Sequence, residues 1–127
     1  MNRFITSYIN KVKHIPYIVK HKIAFLKVEK QLLGKNTLAG FLHDTDKILL
    51  LLLTPLSKKR ISKLHRKFAK HHINKNSSIY YIKQAIIDWE CARYTKPDKP
   101  LTARETLDKY HPELKGMVIP VLEELGL

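Results

Sequence analysis

Apolar residues recur along this chain with a helical period and almost never with the alternation of a strand. Residues 3–14 predict a short amphipathic helix with Phe4, Ile5, Tyr8, Ile9 and Val12 along one side, and Pro16 separates it from the next segment. A second helix is predicted over 17–33, with Val19, Ile23, Leu26 and Leu33 as its core stripe and Gly34 as its stop. Asn36 or Thr37 caps a third, with Leu38, Phe41, Leu42, Leu49 and Leu52 facing inward and Pro55 closing it. Ser57 opens a basic helix running to about Ile73 and packing by Ile61, Leu64 and Phe68. After a turn at 74–76, Ser77 or Ser78 caps a helix to about Tyr94 whose stripe is Ile79, Ile82, Ile86 and Trp89. A loop over 96–100 leads to a capping box, Thr102 with Glu105. Pro112 suits the first turn of a last helix, which Pro120 must kink or end. The expected fold is an all-α, single-domain helical bundle of 127 residues. Its core covers about 17–112, with an amphipathic segment over 1–16 and a terminal helix over 113–127.

Charge adds a bias to this picture. The net charge is +13. Glu29 is the only acid before Asp44, and none lies between Asp46 and Asp88. That stretch holds Lys47, Lys58, Lys59, Arg60, Lys63, Arg66, Lys67, Lys70, Lys75 and Lys83. Such a field attracts phosphates, nucleic acid or an acidic membrane surface; a merely solvated face is the plain alternative. The lone Cys91 excludes an internal disulfide and suits a reducing compartment, as a packed small side chain. The run Ile48–Leu53 is far shorter than the roughly 20 residues that span a bilayer, and the first residues lack a continuous apolar core. A soluble, cytoplasmic protein is expected.

The candidate chemistry lies in polar groups set inside apolar segments. His21 falls in the second helix, the His43-Asp44 pair in the third, His65, His71 and His72 in the basic helix, and Asp88 between Ile87 and Trp89. In a continuous helix His65 and His72 project from nearly one face, and His71 points elsewhere. Asp88 borders the Ala85 and Ala92 stripe, so it is expected to face the interior. A buried carboxylate needs a partner, and a histidine or a metal ion offsets its cost. Histidines and carboxylates converging from several helices are what a cation site in a bundle requires.

The order of this set resembles the HD-domain metal-dependent phosphohydrolase superfamily: a histidine, a His-Asp pair and a distal aspartate on separate helices, here His21, His43-Asp44 and Asp88. His65 and His71-His72 fall where two-metal members place further histidines. The segment His43-Asp44-Thr45-Asp46-Lys47 is similar to the His-Asp-x-x-Lys element of HD-GYP phosphodiesterases, although their glycine-tyrosine-proline element is absent. A small HD-type family of unassigned function shows a closer likeness over about 17–112. Its His-Asp pair is followed by Ser-Lys, here Asp46-Lys47. A His-His near Asn and an Asp-Trp pair come later, here His71-His72 with Asn74 and Asn76, and Asp88-Trp89.

The resemblance implies a phosphohydrolase acting on a nucleotide or another phosphate ester. Asp44 would be the central, bridging ligand. His21, His43 and Asp88 complete one metal site, and His65 with His72, or alternatively His71, serve a second. Mixed histidine and carboxylate ligation suits one or two ions of Mn, Fe, Co, Ni or Zn better than calcium. Lys47, Lys70 and Arg93 are the candidates to hold the substrate phosphate. Two other readings remain: a non-catalytic basic module that binds nucleic acid or another polyanion, and a basic protein at a membrane surface with 3–14 as an interfacial helix.

Overall fold

The structure, a computed structural model, describes residues 3–69, 71–96, 98 and 100–127. It is an all-α bundle, and no strand occurs among the described residues. The helices are α1 (Arg3–Val12), α2 (Ile15–Leu33), α3 (Leu38–Leu42), α4 (Thr45–Leu53), α5 (Lys58–Phe68), α6 (Ile79–Thr95), α7 (Ala103–Tyr110) and α8 (Lys115–Glu124). A single 3-10 turn, Pro112–Leu114, leads into α8.

The long helices α2 and α6 form the central pair, joined through Phe25, Val28, Ile87 and Cys91. On one side α7 and α8 close over α6 through Ile82, Ile86, Leu107, Val118 and Leu122. On the other, Ile18, Leu51 and Ile61 tie α2 to α4 and α5. The polar residues of interest lie where α2, α6, α5 and the start of α4 meet, beside Phe25 and Cys91 of the central pair.

Several boundaries obey the sequence signals. Gly34 ends α2 in the left-handed conformation, its N–H donating to Lys30 O. Thr102 and Glu105 make the reciprocal capping box of α7. Ser57 and Thr37 cap α5 and α3 through their hydroxyls. Ser78 occupies the N-cap position of α6 without a side-chain bond, while the Ser77 hydroxyl accepts from the Asn74 N–H.

Other expectations are corrected. Pro16 sits in the first turn of α2, where its missing N–H has no partner to lose, so the helix begins at Ile15. The buried face of α2 is Ile18, His21, Phe25, Val28 and Glu29, and Val19 and Ile23 are exposed. On α1, Ile5, Tyr8 and Ile9 are exposed, while Lys11 is buried and donates to Thr54 O. The expected third helix is two helices, broken at His43-Asp44, which rotates Leu38, Phe41, Leu42, Leu49 and Leu52 to the surface and leaves Leu51 inside. The basic helix ends at Phe68, so Leu64 and Phe68 are exposed and His71 and His72 lie in the turn beyond it. On α6, Ile79 is exposed. Helix α8 passes through Pro120 to Glu124. Pro120 lies inside the helix, where it has no N–H to donate to the Gly116 carbonyl, and the helix continues past it for another turn.

Candidate metal centre

The break between α3 and α4 builds the site. His43 has ψ 125°, and Asp44 has φ 58° and ψ 11°. Asp44 is the one non-glycine with positive φ among the described residues, a strained conformation that aspartate tolerates better than most side chains. Two residues of α2 hold the break. The Lys22 ammonium donates to the carbonyls of Phe41 and His43 and to the Thr45 hydroxyl, satisfying the free carbonyl end of α3. The fully buried Glu29 carboxylate accepts from the Thr37 N–H, the Thr37 hydroxyl and the Gln84 amide. Gly40 passes so close to this carboxylate that a Cβ would run into it. Lys22 and Glu29 thus set α3 like two clamps, and the turn after it swings His43 and Asp44 inward.

Four expected residues meet there. His21 Nε2, His43 Nε2 and Asp88 Oδ1 lie 2.8, 3.0 and 3.3 Å from one another. Asp44 Oδ2 is 3.5 Å from His43 Nε2 and 3.8 Å from His21 Nε2. Donor atoms about 2.1 Å from one ion and at right angles around it stand about 3.0 Å apart, so this set has the spacing of ligands on a shared cation. The Thr95 hydroxyl lies 3.4 Å from Nδ1 of His21, at the other edge of that ring. Cys91 packs against the His21 ring, its Sγ 3.8 Å from Nδ1, while its thiol donates to Asp88 O and burial pushes its pKa far up.

The second oxygen of Asp44 looks the other way. Oδ1 is 2.9 Å from His65 Nε2 and 3.7 Å from His71 Nε2, and those nitrogens are 3.1 Å apart. The contact from His65 is close but not aligned as a hydrogen bond, so Oδ1 is a buried oxygen without a hydrogen-bond partner among the described residues. Nε2 of His72 is a second such atom. His65, His71 and His72 each bring a ring nitrogen within 4.8 Å of the others. The early end of α5 therefore brings His71 to the cluster, where a continuous helix would have turned it away.

Electrostatics suit a cation. Burial pushes the Asp44 carboxyl upward, but contact with His65 and the charges of His43 and Lys47 outweigh it and hold the pKa far below the ordinary range. Burial likewise raises Asp88, and hydrogen bonds from His21 and His43 overcome it, so this group too is ionised. Burial lowers His71 to about 3 and His72 to about 4, which leaves both rings neutral with lone pairs available. These His and Asp groups could hold a metal ion: His21, His43 and Asp88 bring ligand atoms together, as do His65, His71 and His72, and Asp44 groups with His43 and His71 and with Asp46 and His65.

A cavity of about 360 Å³ opens above the cluster, lined by Leu42, Phe68, Tyr81 and Gln84 together with the ligand side chains. Lys47 does not line it but pairs with Asp44, its Nζ 3.4 Å from Asp44 Oδ2. Arg93 does not line it; its guanidinium is paired with Glu90 and lies over the Tyr94 ring. Lys70 lies outside the described residues. The sequence did not single out Asp46, whose Oδ2 is 2.7 Å from His65 Nδ1, nor Glu29, Lys22 and Gln84. The isolation of Glu29 in a basic stretch was the one available signal. Compared with family models, curated proteins and solved structures, the chain matches none.

Proposed function

We propose that the chain is a metal-dependent phosphohydrolase of HD type, acting on a phosphate ester at a centre of two first-row divalent ions. The observation that carries this reading is Asp44, whose two oxygens face two separate sets of ring nitrogens, a bridging carboxylate's arrangement. Metal-free ion pairing between His65 and Asp44 accounts for part of this proximity, but not for the three imidazoles gathered on one side of Oδ1 or for the buried His72 Nε2 without a hydrogen-bond partner among the described residues.

A bound pair of ions supplies Lewis acidity, lowering the pKa of water and polarising a phosphoryl oxygen. The chain's own residues do the rest. Asp44, held by its strained turn, fixes the spacing of the two halves. Lys47, paired with Asp44, offers a point charge to a phosphate oxygen near that carboxylate. Leu42, Phe68 and Tyr81 line the cavity.

The test is elemental analysis of protein offered manganese, iron, cobalt, nickel and zinc in turn, with hydrolysis of a panel of phosphate mono- and diesters. Stoichiometric uptake is expected, along with hydrolysis that Asp44→Asn abolishes. Asparagine also tolerates a positive φ, so the helical content read by circular dichroism should hold. No uptake of any of these ions would end the enzyme reading.

A further inference from the structure

Resting on that reading, we propose that the phosphate handled at this site belongs to a single-stranded nucleic acid, drawn across the site mouth by the outer side of α5 and stacked on Phe68. A small phosphate ester needs little beyond the centre itself and Lys47. The chain carries far more positive charge than that, and carries it next to the site. Lys58, Lys59, Arg60, Lys63, Arg66 and Lys67 all lie on α5, and none has a carboxylate partner among the described residues. The inward side of the same helix is Ile61 and His65, so one helix presents a ligand nitrogen to the centre and a row of cations to solvent. From Arg60 through Lys63 to Lys67 the row covers about 10 Å, more than one phosphate occupies.

The row ends at the mouth. Lys67 lines a second, polar cleft of about 390 Å³ with His72, Asn74 and Ser77. That cleft shares Phe68, Ala69 and Tyr81 with the cavity over Asp44 and His65. The two adjoin at these shared residues, which gives a chain passing the centre a second place to sit. Phe68 is 69% exposed, though it is a large apolar ring, and Lys67 lies over it. An exposed aromatic flanked by cations is the pattern on which unpaired bases stack with little regard to sequence. Paired bases in a duplex have no free face to offer. The reaction is a hydrolysis without redox change. The oxygen of water bonds to phosphorus, one phosphorus–oxygen bond to a sugar breaks, and the sugar oxygen takes a proton, leaving a phosphomonoester end and a hydroxyl end.

The test uses fluorescence anisotropy with the full chain in EDTA. Labelled single-stranded DNA, single-stranded RNA and duplex DNA are the probes, followed by cleavage assays with the metal that restores phosphohydrolysis. Binding of single strands is expected to weaken steeply with salt, with each removed cation lowering the logarithmic slope by about 0.7. Lys63→Glu with Lys67→Glu should cut binding at low salt, and Phe68→Ala should weaken it roughly tenfold without changing the slope. The DNA and RNA arms identify which strand is preferred. Metal uptake and hydrolysis of a small ester without single-strand binding would overturn the strand proposal and leave the phosphohydrolase reading standing. Strand binding by a chain that takes up no metal would overturn the phosphohydrolase reading and the strand as its substrate. Equal binding to vesicles of acidic lipid, insensitive to Phe68→Ala, would assign the basic face to a membrane surface instead.

Discussion

Asp46 holds the far side of the His65 ring, its Oδ2 2.7 Å from Nδ1, while Nε2 of the same ring faces Asp44 Oδ1 at 2.9 Å. The hydrogen bond to Asp46 keeps a proton on Nδ1. Nε2 is then left to a second proton or to a cation. Burial lowers the His65 pKa, but its contacts with Asp44 and Asp46 outweigh that and raise it, which favours a proton at that position in the absence of an ion. A metal ion displaces that proton.

If ions bind as proposed, replacing Asp46 with alanine should weaken one held by Asp44 and His65 about 10- to 100-fold, the range for losing a carboxylate behind a histidine ligand. One held by His21, His43 and Asp88 should keep its affinity. Titration with a chelating dye, read as two classes of site, distinguishes the two. Equal weakening of both would show that Asp46 supports the fold and not the ring.

Gly40→Ala should destabilise the protein by about 1–3 kcal/mol, because the added methyl meets the fully buried Glu29 carboxylate. The urea midpoint should fall with an unchanged slope. A stability equal to the parent would mean that α3 moves freely against α2.

Lys22→Met removes the donors that satisfy the carbonyls of Phe41 and His43. A loss of about 0.5–1.5 kcal/mol is expected, since these acceptors are exposed or half-buried and water can reach them. Metal affinity should drop too, because the same contacts fix the turn at Asp44. Lost stability with intact metal affinity would separate the brace from the site.

Without metal, the protein should lose stability as pH falls from about 7 to about 5. His71 and His72 are depressed to about 3 and about 4 from the unfolded value of 6.5, chiefly by burial. Between those values the unfolded chain binds more protons, so their contribution is present above about pH 6.5 and disappears on acidification. His65, raised, works in the opposite direction: its contribution is present below 6.5 and is lost as pH rises through its folded pKa. Two rings oppose one, so the net slope is downward on acidification. Urea unfolding in EDTA at the two pH values measures it.

Much of the architecture was legible because it is written locally. Thr102 and Glu105, Ser57, Thr37 and Gly34 announce helix ends by their own side chains or by glycine's freedom. The convergence of His21, His43, Asp44 and Asp88 was legible for a different reason: a charged group amid apolar neighbours has few places to go. The break at Asp44 was not legible, since Leu38 to Leu53 contains no proline and its one glycine, Gly40, lies before the break. What breaks the helix comes from α2, through Lys22 and Glu29. The faces of α2 were ambiguous for a similar reason. Its apolar residues surround the helix, and only His21 and Glu29 finding partners decides which side turns inward. The end of α5 at Phe68 likewise has no local signal.

The ligand positions are scattered along the chain: His21 and Asp88 are 67 residues apart, and His43 and Asp88 are 45 apart. An ion gripped by both acts as a reversible cross-link between distant stretches of backbone, closing loops that the metal-free chain must close by packing alone. Occupancy then sets durability. At a free concentration a hundredfold above its dissociation constant, an ion would add about 2.7 kcal/mol against unfolding. A cell's supply of that element would thus govern how long each copy survives proteolysis as well as how fast it works.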